Sequence, residues 1–249
     1  MFDLTGRVAL VTGAGQSVGA DIATTLAEAG ATVAVNDLHE DRGETTAELI
    51  RAADGAARAV SFDVTDPGAV ADGVATVAED LGPVDILVNN AGIAEGAGTR
   101  FVLDDDYDTE YWSKWIDLNL HGVMHCCKAV LPGMVAGSFG RIVTVSSGAG
   151  TQGLAIGMSA YAAGKGGAIS FMRHLALETA ERGITANTLA LGMMDNTAGR
   201  LMPEQVRKIN PVGRLGTGRD VGAAIVWLAA EGSWVTGQTI QLNGGATTT

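Results

Sequence analysis

Short runs of β-branched and aliphatic residues recur along the chain, separated by longer stretches in which apolar residues repeat every three or four positions. Strands without polar alternation are typical of parallel sheets buried on both faces, and the stretches between them are typical of crossover helices. The pattern predicts an α/β fold with one doubly wound, seven-stranded parallel sheet. The predicted strands are Val8–Val11, Thr32–Val35, Ala59–Phe62, Val84–Val88, Ile142–Val145, Thr185–Leu189 and Thr239–Leu242.

Three of the intervening helices are predicted from apolar residues at helical spacing. The second opens with Asp66 and Pro67, a capping acid followed by proline at the first helical position. No internal repeat, charge block or proline-rich linker marks a boundary, so residues 1–249 are expected to form one domain. The repeating residues are Val18, Ile22, Leu26 and Ala29 in the first helix, Val70, Val74, Val77 and Leu81 in the second, and Val221, Ile225 and Leu228 in the third, which begins at Asp220.

Charge and hydrophobicity exclude several classes of protein. Asp and Glu outnumber Lys and Arg by 28 to 16, whereas nucleic-acid binding needs clusters of Lys and Arg side chains. The longest hydrophobic run, Ala223–Ala230, has eight residues, far below the roughly 18 that span a bilayer. The first residues, MFDLTGRVALVTG, lack the basic and apolar segments of a secretory signal. We therefore expect a cytoplasmic protein with neither nucleic acid nor membrane as a partner.

Cysteine and histidine, the commonest zinc ligands, number only two and four. Cys126 and Cys127 are adjacent in a helical stretch, where neighbours point about 100° apart, so neither a disulfide framework nor a zinc site is predicted. His121 and His125 share one helix face and could in principle bind a metal, but no third ligand is evident. Ordinary helix positions are the favoured interpretation, and no metal is predicted.

A glycine-rich turn, TGAGQSVG at 12–19, follows the first strand directly and opens the first helix. Glycines there let the backbone approach a pyrophosphate whose charge lies at the helix N-terminus. The common GxGxxG spacing is not met, because Val18 occupies its third glycine position. A tight turn that only packs a helix is the alternative.

The second strand ends in Asp37, whose carboxylate can accept hydrogen bonds from both adenosine ribose hydroxyls. Gln16 and Leu38 are uncharged where a base would be expected to hold a 2′-phosphate. The sequence therefore predicts NAD(H), with NADP(H) less favoured. A solvated turn acid is the alternative interpretation of Asp37.

Tyr161 and Lys165 are four residues apart in a helical stretch, so both side chains project from one face. A tyrosine with a pKa near 10 is only about one part in a thousand ionised at neutral pH, and a nearby ammonium favours the phenolate. Such a pair suits general acid/base catalysis. Any amphipathic helix can contain this spacing, so the pair alone is weak evidence.

Taken together, these motifs resemble the short-chain dehydrogenase/reductase family, in the branch of about this chain length. The resemblance covers nearly the whole chain and implies a Rossmann-like fold. The matching pieces, in order, are TGAGQSVG at 12–19, Asp37, Asp63-Val64, NNAG at 89–92, Asn119, Ser146-Ser147, YAAGK at 161–165, a looser match at 190–197, and VTGQTIQLNGG at 235–245.

The resemblance implies a role for each catalytic residue. Tyr161 exchanges a proton with the substrate oxygen, Lys165 lowers its pKa and holds the nicotinamide ribose, Ser147 hydrogen-bonds the substrate oxygen, and Asn119 holds a proton-relaying water. Ser146 competes with Ser147 for its role, and Asn119 could instead be an internal polar residue satisfied by backbone.

The resemblance also implies a cofactor site in which Asp63 and Val64 flank the adenine and Asn89 braces the central strands. The chain departs from the family pattern in the glycine-rich turn, in the Ser147–Tyr161 interval and in the segment after the sixth strand. Ser17 replaces the middle glycine of the turn and could bind or crowd a phosphate, Leu191 replaces a proline, and the Ser147–Tyr161 interval is one residue longer than usual. Asn196 stands where threonine is expected to bind the nicotinamide amide, and Thr197 could substitute. The implied cofactor-binding residues are Gly13, Gln16, Ser17, Val18, Gly19, Asp37, Asp63, Val64, Asn90, Gly92, Tyr161, Lys165, Gly192, Met194 and Asn196.

The predicted function is NAD(H)-dependent interconversion of a secondary alcohol and its ketone, on a small-to-medium apolar substrate, cyclic ones included. Its substrate loops are 93–101, 148–160 and 192–210. In the parts expected to roof the site, 93–101, 148–160 and 192–202, the basic residues are only Arg100 and Arg200, too few to hold phosphates, and Glu95 would repel an anion if it faces the pocket. Alternatively, the methionines only pack the last loop against the domain. The apolar lining residues are Leu154, Ile156, Met158, Met193, Met194, Leu201 and Met202.

Two other functions stay open. Reductases of 3-oxoacyl thioesters, carried on acyl carrier protein or CoA, share most of these motifs, but they generally use NADPH and an acidic carrier would meet an acidic surface. A non-catalytic nucleotide-binding regulator is the remote alternative, disfavoured by intact Ser147, Tyr161 and Lys165. The resemblance further implies a homotetramer, for which Tyr111, Trp112, Trp115, Trp234, Val235 and Ile240 supply apolar surface.

Overall fold

The computed structural model describes residues 2–93, 95–96, 98–196, 210–230 and 234–248. Its strands are β1 (Val8–Val11), β2 (Thr32–Val35), β3 (Ala56–Ala59), β4 (Ile86–Asn89), β5 (Gly140–Ser147), β6 (Ile184–Leu191) and β7 (Thr239–Leu242). They form one parallel sheet in the order β3-β2-β1-β4-β5-β6-β7, which confirms the predicted doubly wound, seven-stranded architecture.

Helices cover both faces of this sheet. They are α1 (Ser17–Glu28), α2 (Glu40–Ala52), α3 (Pro67–Asp80), α4 (Thr109–Ile116), α5 (Gly122–Gly137), α6 (Ser159–Thr179) and α7 (Gly218–Ala230). In β1, Ala9 and Val11 belong to the core layer that includes α1 and α7, whereas Val8 and Leu10 belong to the layer that includes α3, α5 and α6. No helix in the described part of the chain is both long and apolar enough to cross a membrane.

The chain changes direction across the sheet at β1, which lies between β2 and β4. Loops that follow β1 and β2 therefore diverge from those that follow β4 and β5, and a crevice opens at the carboxyl ends of these strands. In open α/β sheets this switch point is where ligands bind. The glycine-rich turn, Asp37, the NNAG segment and Ser147 all follow or end strands at this edge.

The predicted third strand, Ala59–Phe62, is wrong, because β3 is Ala56–Ala59. Val60 and Phe62 are apolar and buried but lie beyond the strand, where they pack in the layer of α3. The Asn36 side-chain amide donates to both of their carbonyl groups, at 3.1 Å and 3.0 Å. An edge strand needs apolar contact on fewer sides, so its half-exposed Ala and Arg residues gave no strand pattern.

Smaller errors concern the ends of elements. Strand β4 runs from Ile86 rather than Val84, and β5 and β6 extend beyond both predicted limits. Helix α7 begins at Gly218, not Asp220. Asp220 instead accepts the Thr217 backbone N–H at 2.8 Å while its own N–H donates to the Thr217 hydroxyl at 3.3 Å, a reciprocal capping box.

Candidate active site

The glycine-rich turn is packed too closely for side chains at its glycines. A Cβ at Gly13, whose φ is +60°, would lie 2.9 Å from Ala91 Cα. A Cβ at Gly15 would lie 2.6 Å from Arg42 Cβ, and one at Gly19 would meet the Gly13 carbonyl. The bare backbone is therefore required here by packing.

Ser17 begins α1 with a φ of +52°, in the left-handed region that favours glycine. This explains why the family pattern has glycine at this position. Gln16 is the N-cap residue but makes no side-chain capping bond, so the first-turn N–H groups of Ser17, Val18 and Gly19 are not capped by it. A helix N-terminus of this kind attracts anions such as a pyrophosphate.

The Asp37 carboxylate is fixed at the end of β2 beside this turn. Its Oδ2 accepts the Gly15 backbone N–H at 3.0 Å, and its Oδ1 accepts that of His39 at 3.1 Å. Each carboxylate oxygen can accept a further bond, so the group remains able to bind two ribose hydroxyls. Burial and these bonds make Asp37 a held side chain rather than a solvated turn acid.

The NNAG segment ties the turn to the centre of the sheet. Asn89 is buried and donates from Nδ2 to Thr144 Oγ1 at 3.2 Å, joining β4 to β5. Asn90 donates from Nδ2 to the carbonyl groups of Thr12 at 3.0 Å and Gly13 at 2.9 Å. Asn90 thus fixes the turn.

Asp63 and Val64 make contacts within the chain. Asp63 Oδ1 accepts the backbone N–H and the hydroxyl of Thr65, both at 2.8 Å. Val64 is buried, and a Cβ at Gly122 would lie 2.9 Å from its Cγ2. Their adenine contacts, implied by the resemblance, stay a prediction.

Asn119 lies in a π-helical turn, Asp117–His121, that joins α4 to α5. This irregular turn, a feature often found at functional sites, was not predicted from the sequence. Asn119 is fully buried and donates to the Trp115 carbonyl at 3.0 Å, while its Oδ1 has no hydrogen-bond partner. A Cβ at Gly92 would lie 2.9 Å from that oxygen.

Lys165 approaches the same point from α6. Its Nζ is buried and donates to the Val145 carbonyl at 2.7 Å. A Cβ at Gly92 would lie only 2.6 Å from this nitrogen. Burial lowers the pKa of Lys165 to about 8, because the ammonium loses solvation. Gly92 thus leaves room for Lys165 and Asn119 to converge.

The Tyr161 hydroxyl lies beside Ser147, and the Tyr161 ring contacts the Trp115 ring edge-on, with ring centroids 5.4 Å apart. Burial raises the pKa of Tyr161, and the Ser147 bond opposes this only in part. Lys165 donates to the Val145 carbonyl and its Nζ lies 5.8 Å from the tyrosine ring centroid, so its expected lowering of the Tyr161 pKa stays a prediction.

The structure separates the two adjacent serines at the end of β5. Ser146 is buried and donates to the Lys165 carbonyl at 3.3 Å, so it fixes α6 to the sheet. Ser147 is the serine that contacts the Tyr161 hydroxyl. Of the two candidates, the geometry favours Ser147 as the substrate-binding hydroxyl.

The segment after β6 is only partly described. Gly192 donates its N–H to the Leu242 carbonyl at 3.1 Å, and a Cβ there would lie 2.7 Å from Asn243 Cα. Met194 is buried in the core layer of α1 and α7, so for this methionine the alternative of packing the segment against the domain holds. The predicted residues Thr197, Arg200, Leu201 and Met202, with the rest of 197–209, lie outside the described residues.

Arg100 is engaged by its own surroundings. Its backbone N–H donates to the Gly157 carbonyl at 2.9 Å, which joins two predicted substrate loops. Its Nε lies 2.9 Å from an Asp106 carboxylate oxygen, and its guanidinium lies 4.5 Å from the Tyr111 ring centroid. Arg100 is therefore already paired and poorly placed to hold a substrate phosphate.

Residues 101–108 extend the first substrate loop further than the sequence predicted. The Tyr107 hydroxyl and Ser159 Oγ lie 2.8 Å apart at the start of α6, two residues before Tyr161. Asp108 is the N-cap of α4, and an aspartate directly before a helical stretch is a recognisable helix-start signal in the sequence. Exposed apolar residues on these loops and α4 are Ile93, Phe101, Val102, Leu103, Trp112, Leu154 and Ile156, and Asp104, Asp105, Asp106 and Asp108 supply negative charge.

The apolar residues expected at a subunit interface divide into two groups. Tyr111 and Trp115 are buried with Tyr161 in a small cluster, so they shape the site. Val235 and Ile240, from the carboxy-terminal segment, pack against the core layer of α1 and α7. The exposed members are Trp112 and Trp234, the latter 98% exposed, and the packed pair is Val235 and Ile240.

The histidines and cysteines have ordinary partners. His121 Nδ1 lies 2.8 Å from an Asp117 carboxylate oxygen, and His125 Nδ1 lies 3.1 Å from the Val64 carbonyl oxygen. Burial raises the pKa of both cysteine thiols. In the described ranges, no group of three or more potential ligands could hold a metal.

Glu95, which would repel an anion only if it faced the substrate pocket, instead contacts Arg42 at 2.8 Å and His39 at 3.2 Å, close to Asp37. Arg42 is a basic residue that sequence reasoning missed, because only two uncharged positions near the nucleotide were considered. Its place in the first turn of α2, five residues after Asp37, was the available indication.

These residues fit a dinucleotide. The first-turn N–H groups of α1 have no side-chain cap, the Asp37 carboxylate lies beside them, and the buried, unpaired Asn119 Oδ1 can accept a hydrogen bond from a bound water or hydroxyl. The carboxyl end of the sheet thus offers three groups side by side: an anion site at the start of α1, the Asp37 carboxylate and the proton-transfer group around Tyr161.

Comparisons with known proteins agree with this arrangement. The family model for short chain dehydrogenase matches residues 7–205. The 3-oxoacyl-[acyl-carrier-protein] reductase FabG of Vibrio harveyi is 37% identical over 98% of each chain. The acetoacetyl-CoA reductase of Shinella zoogloeoides is 38% identical over 96% of this chain and 98% of its own length.

A solved structure with the same fold is a 7α-hydroxysteroid dehydrogenase complexed with NADH and 7-oxo glycochenodeoxycholic acid. It matches with a TM-score of 0.90 and 32% identity, over 98% of this chain and 95% of that one. The relatives' names thus include reductases of acyl thioesters and a dehydrogenase of a cyclic alcohol.

Proposed function

The chain belongs to the short chain dehydrogenase family of oxidoreductases, and from this premise we propose that it interconverts a secondary alcohol and its ketone with NAD(H). The observation that carries the proposal is the convergence of Lys165 and Asn119 at Gly92, with Tyr161 on the same helix as the lysine and Ser147 beside its hydroxyl. When bound, the nicotinamide supplies or accepts the hydride.

The protein's own residues then manage the proton. In ketone reduction, Ser147 donates a hydrogen bond to the carbonyl oxygen, and Tyr161 gives that oxygen its hydroxyl proton. In alcohol oxidation, the tyrosine oxygen takes the proton back. Because burial raises the pKa of Tyr161, its ionisation in the working enzyme needs a cation to turn toward it, and Lys165 is the buried cation on the same helix face.

Proton replacement has a route through Asn119. Its unpaired Oδ1 and Lys165 Nζ both face the position of the missing Gly92 side chain. A water that bridges these two groups would accept from the lysine and donate to Asn119 Oδ1. This supports the proton-relay role proposed for Asn119.

Asp37 supports the preference for NAD(H). A 2′-phosphate placed against this carboxylate would be repelled, whereas ribose hydroxyls can donate to it. The carboxylate is held by the Gly15 and His39 N–H groups, so it cannot turn away without breaking both bonds.

For the substrate, the exposed apolar residues of the loops and the aspartates at 104–106 support a neutral, largely apolar alcohol or ketone. Arg100, already paired with Asp106, offers little to a phosphate or carboxylate. This is the composition expected of a pocket that recognises apolar surface with few polar groups.

A second candidate is reduction of a 3-oxoacyl thioester. The names of the curated relatives favour it over the neutral alcohol, since FabG and acetoacetyl-CoA reductase match nearly end to end. Both candidates are ketone reductions by the same proton-transfer group. They differ in whether an anionic carrier must approach the loop that bears Asp104, Asp105 and Asp106.

A competition by catalytic efficiency separates the candidates. Neutral cyclic and aryl ketones, acetoacetyl-CoA and an acetoacetyl carrier protein are each assayed with NADH and NADPH, following cofactor absorbance. The proposal expects neutral ketones and NADH to give the highest kcat/KM. Higher kcat/KM for the thioesters would establish the second candidate, and equal or better NADPH use would reject the NAD(H) preference. Asp37→Ser should narrow the cofactor gap.

A further inference from the structure

A carboxylate from the loop after β4 reaches the first turn of α2, on the far side of the glycine-rich turn. Glu95 Oε1 lies 2.8 Å from Arg42 Nη1 and 3.2 Å from His39 Nε2. Because β1 lies between β4 and β2, this contact passes beside the turn that follows β1. The bridge therefore borders the adenosine end of the crevice, not the substrate end.

Arg42 stands next to the groups proposed to hold the adenosine ribose. Its Cβ lies 2.6 Å from where a Gly15 side chain would begin, and Gly15 donates its N–H to Asp37. Arg42 and Asp37 also interact electrostatically. The Arg42 guanidinium therefore lies near the place where the ribose hydroxyls would donate hydrogen bonds to Asp37.

Arg42 is a base of the kind that recognises phosphate. Guanidinium groups bind phosphates through charge-assisted hydrogen bonds, and an arginine beside the ribose accommodates a 2′-phosphate in dinucleotide sites. In this chain the group is instead occupied by Glu95, with Asp37 and Asp41 adding negative charge nearby.

We propose that Glu95 sets the preference for NAD(H) over NADP(H), by holding Arg42 in an ion pair and so denying its charge to a 2′-phosphate. The inference rests on the proposed dinucleotide site and adds to Asp37 a selectivity residue that does not itself touch the ribose. Glu95 is a positioning residue, since it acts through Arg42.

The ion pair persists at working pH. The Arg42 guanidinium, followed by His39, holds the pKa of Glu95 below its usual value, so the carboxylate stays charged. The Glu95 side chain is 60% exposed and that of Arg42 36%, so the pair is screened by solvent and either side chain can be replaced without opening the core.

The test compares nucleotide binding in four proteins: wild type, Glu95→Gln, Arg42→Gln and the double variant. Dissociation constants for NADH and NADPH are measured by nucleotide fluorescence at pH 8, where histidine side chains are generally neutral. Glu95→Gln should shift the NADH/NADPH affinity ratio toward NADPH by about five-fold, the size of one partly exposed charge-assisted bond. In the Arg42→Gln background the same change should shift the ratio less than two-fold.

A matched control is Glu44→Gln. Glu44 lies on α2, as Arg42 does, and the change removes one negative charge from a carboxylate paired with Arg51. It should leave the ratio unchanged. An unchanged ratio in Glu95→Gln, an equal gain in the Arg42→Gln background, or an equal gain in Glu44→Gln would each overturn the inference. Failure of the proposed dinucleotide site looks different, because the wild type would then bind neither nucleotide, and failure of the proposed NAD(H) preference would show as a wild type that binds NADPH at least as tightly as NADH.

Discussion

Adding one methyl group at Gly92 should disable the enzyme while leaving it folded. A Cβ there would lie 2.6 Å from Lys165 Nζ and 2.9 Å from Asn119 Oδ1, both closer than such contacts allow. The lysine must then leave the Val145 carbonyl, or the loop must move away from both groups. Either response separates groups that the proposed proton route needs together.

The magnitudes for Gly92→Ala follow from these contacts. The stability cost is that of overpacking one methyl group, about 1–3 kcal/mol, because the crowded atoms are side-chain ends and not backbone. The rate cost is larger, since a displacement of about 1 Å at a catalytic group can lower the rate about 100-fold, or roughly 2.7 kcal/mol of activation free energy.

Steady-state kinetics with the best substrate and thermal unfolding of the same preparations test this reasoning. Gly137→Ala is the control, because a Cβ at that helix end meets no atom within 4 Å and the residue has an ordinary φ. Gly92→Ala should lose about 100-fold in kcat, and Gly137→Ala less than two-fold. A folded Gly92→Ala protein with kcat within two-fold of wild type would refute the proposed convergence.

Three further predictions concern stability and assembly. Asp66→Ala removes two capping bonds from α3 and should lower Tm by about 2–4 °C without changing kcat, which calorimetry and kinetics check. Relative to Lys165→Met, the free energy of unfolding of the wild type should rise from pH 8 to 10.5. In that range the unfolded lysine, at its ordinary pKa of 10.5, still binds a proton that the folded lysine, with a pKa of about 8, has lost. Denaturant titrations of both proteins across that range measure this free energy. Sedimentation at micromolar concentration should give four times the 25.4 kDa chain mass, and a mass near one chain would reject the homotetramer.

Elements with continuous apolar runs were predictable from the sequence. The bounds of β1, β2 and β7 match, because each run is bordered by polar or glycine residues where the strand stops. The edge strand β3 was not, since half-exposed alanines carry no strand pattern and the apolar Val60 and Phe62 lie beyond it.

The candidate site was predictable only as far as residue identity. The spacing of Tyr161 and Lys165 placed both on one face of α6, but the lysine's bond to the Val145 carbonyl depends on how α6 packs on β5. The π-helical turn at Asn119 likewise depends on packing between helices, and no spacing of residues in the sequence predicts it. The Glu95 ion pair joins residues 53 positions apart, which no local pattern predicts.

The central claim, that Tyr161 is the proton-transfer group of a nicotinamide-dependent oxidoreductase, is tested most directly by Tyr161→Phe. This change keeps the ring that packs on Trp115 and removes only the hydroxyl. Turnover and the NADH dissociation constant are measured on the same preparation. We predict loss of turnover by at least about 100-fold, the low end for general acid/base catalysis, with NADH affinity within about two-fold of wild type. A variant that binds NADH and retains most of its turnover would contradict the account.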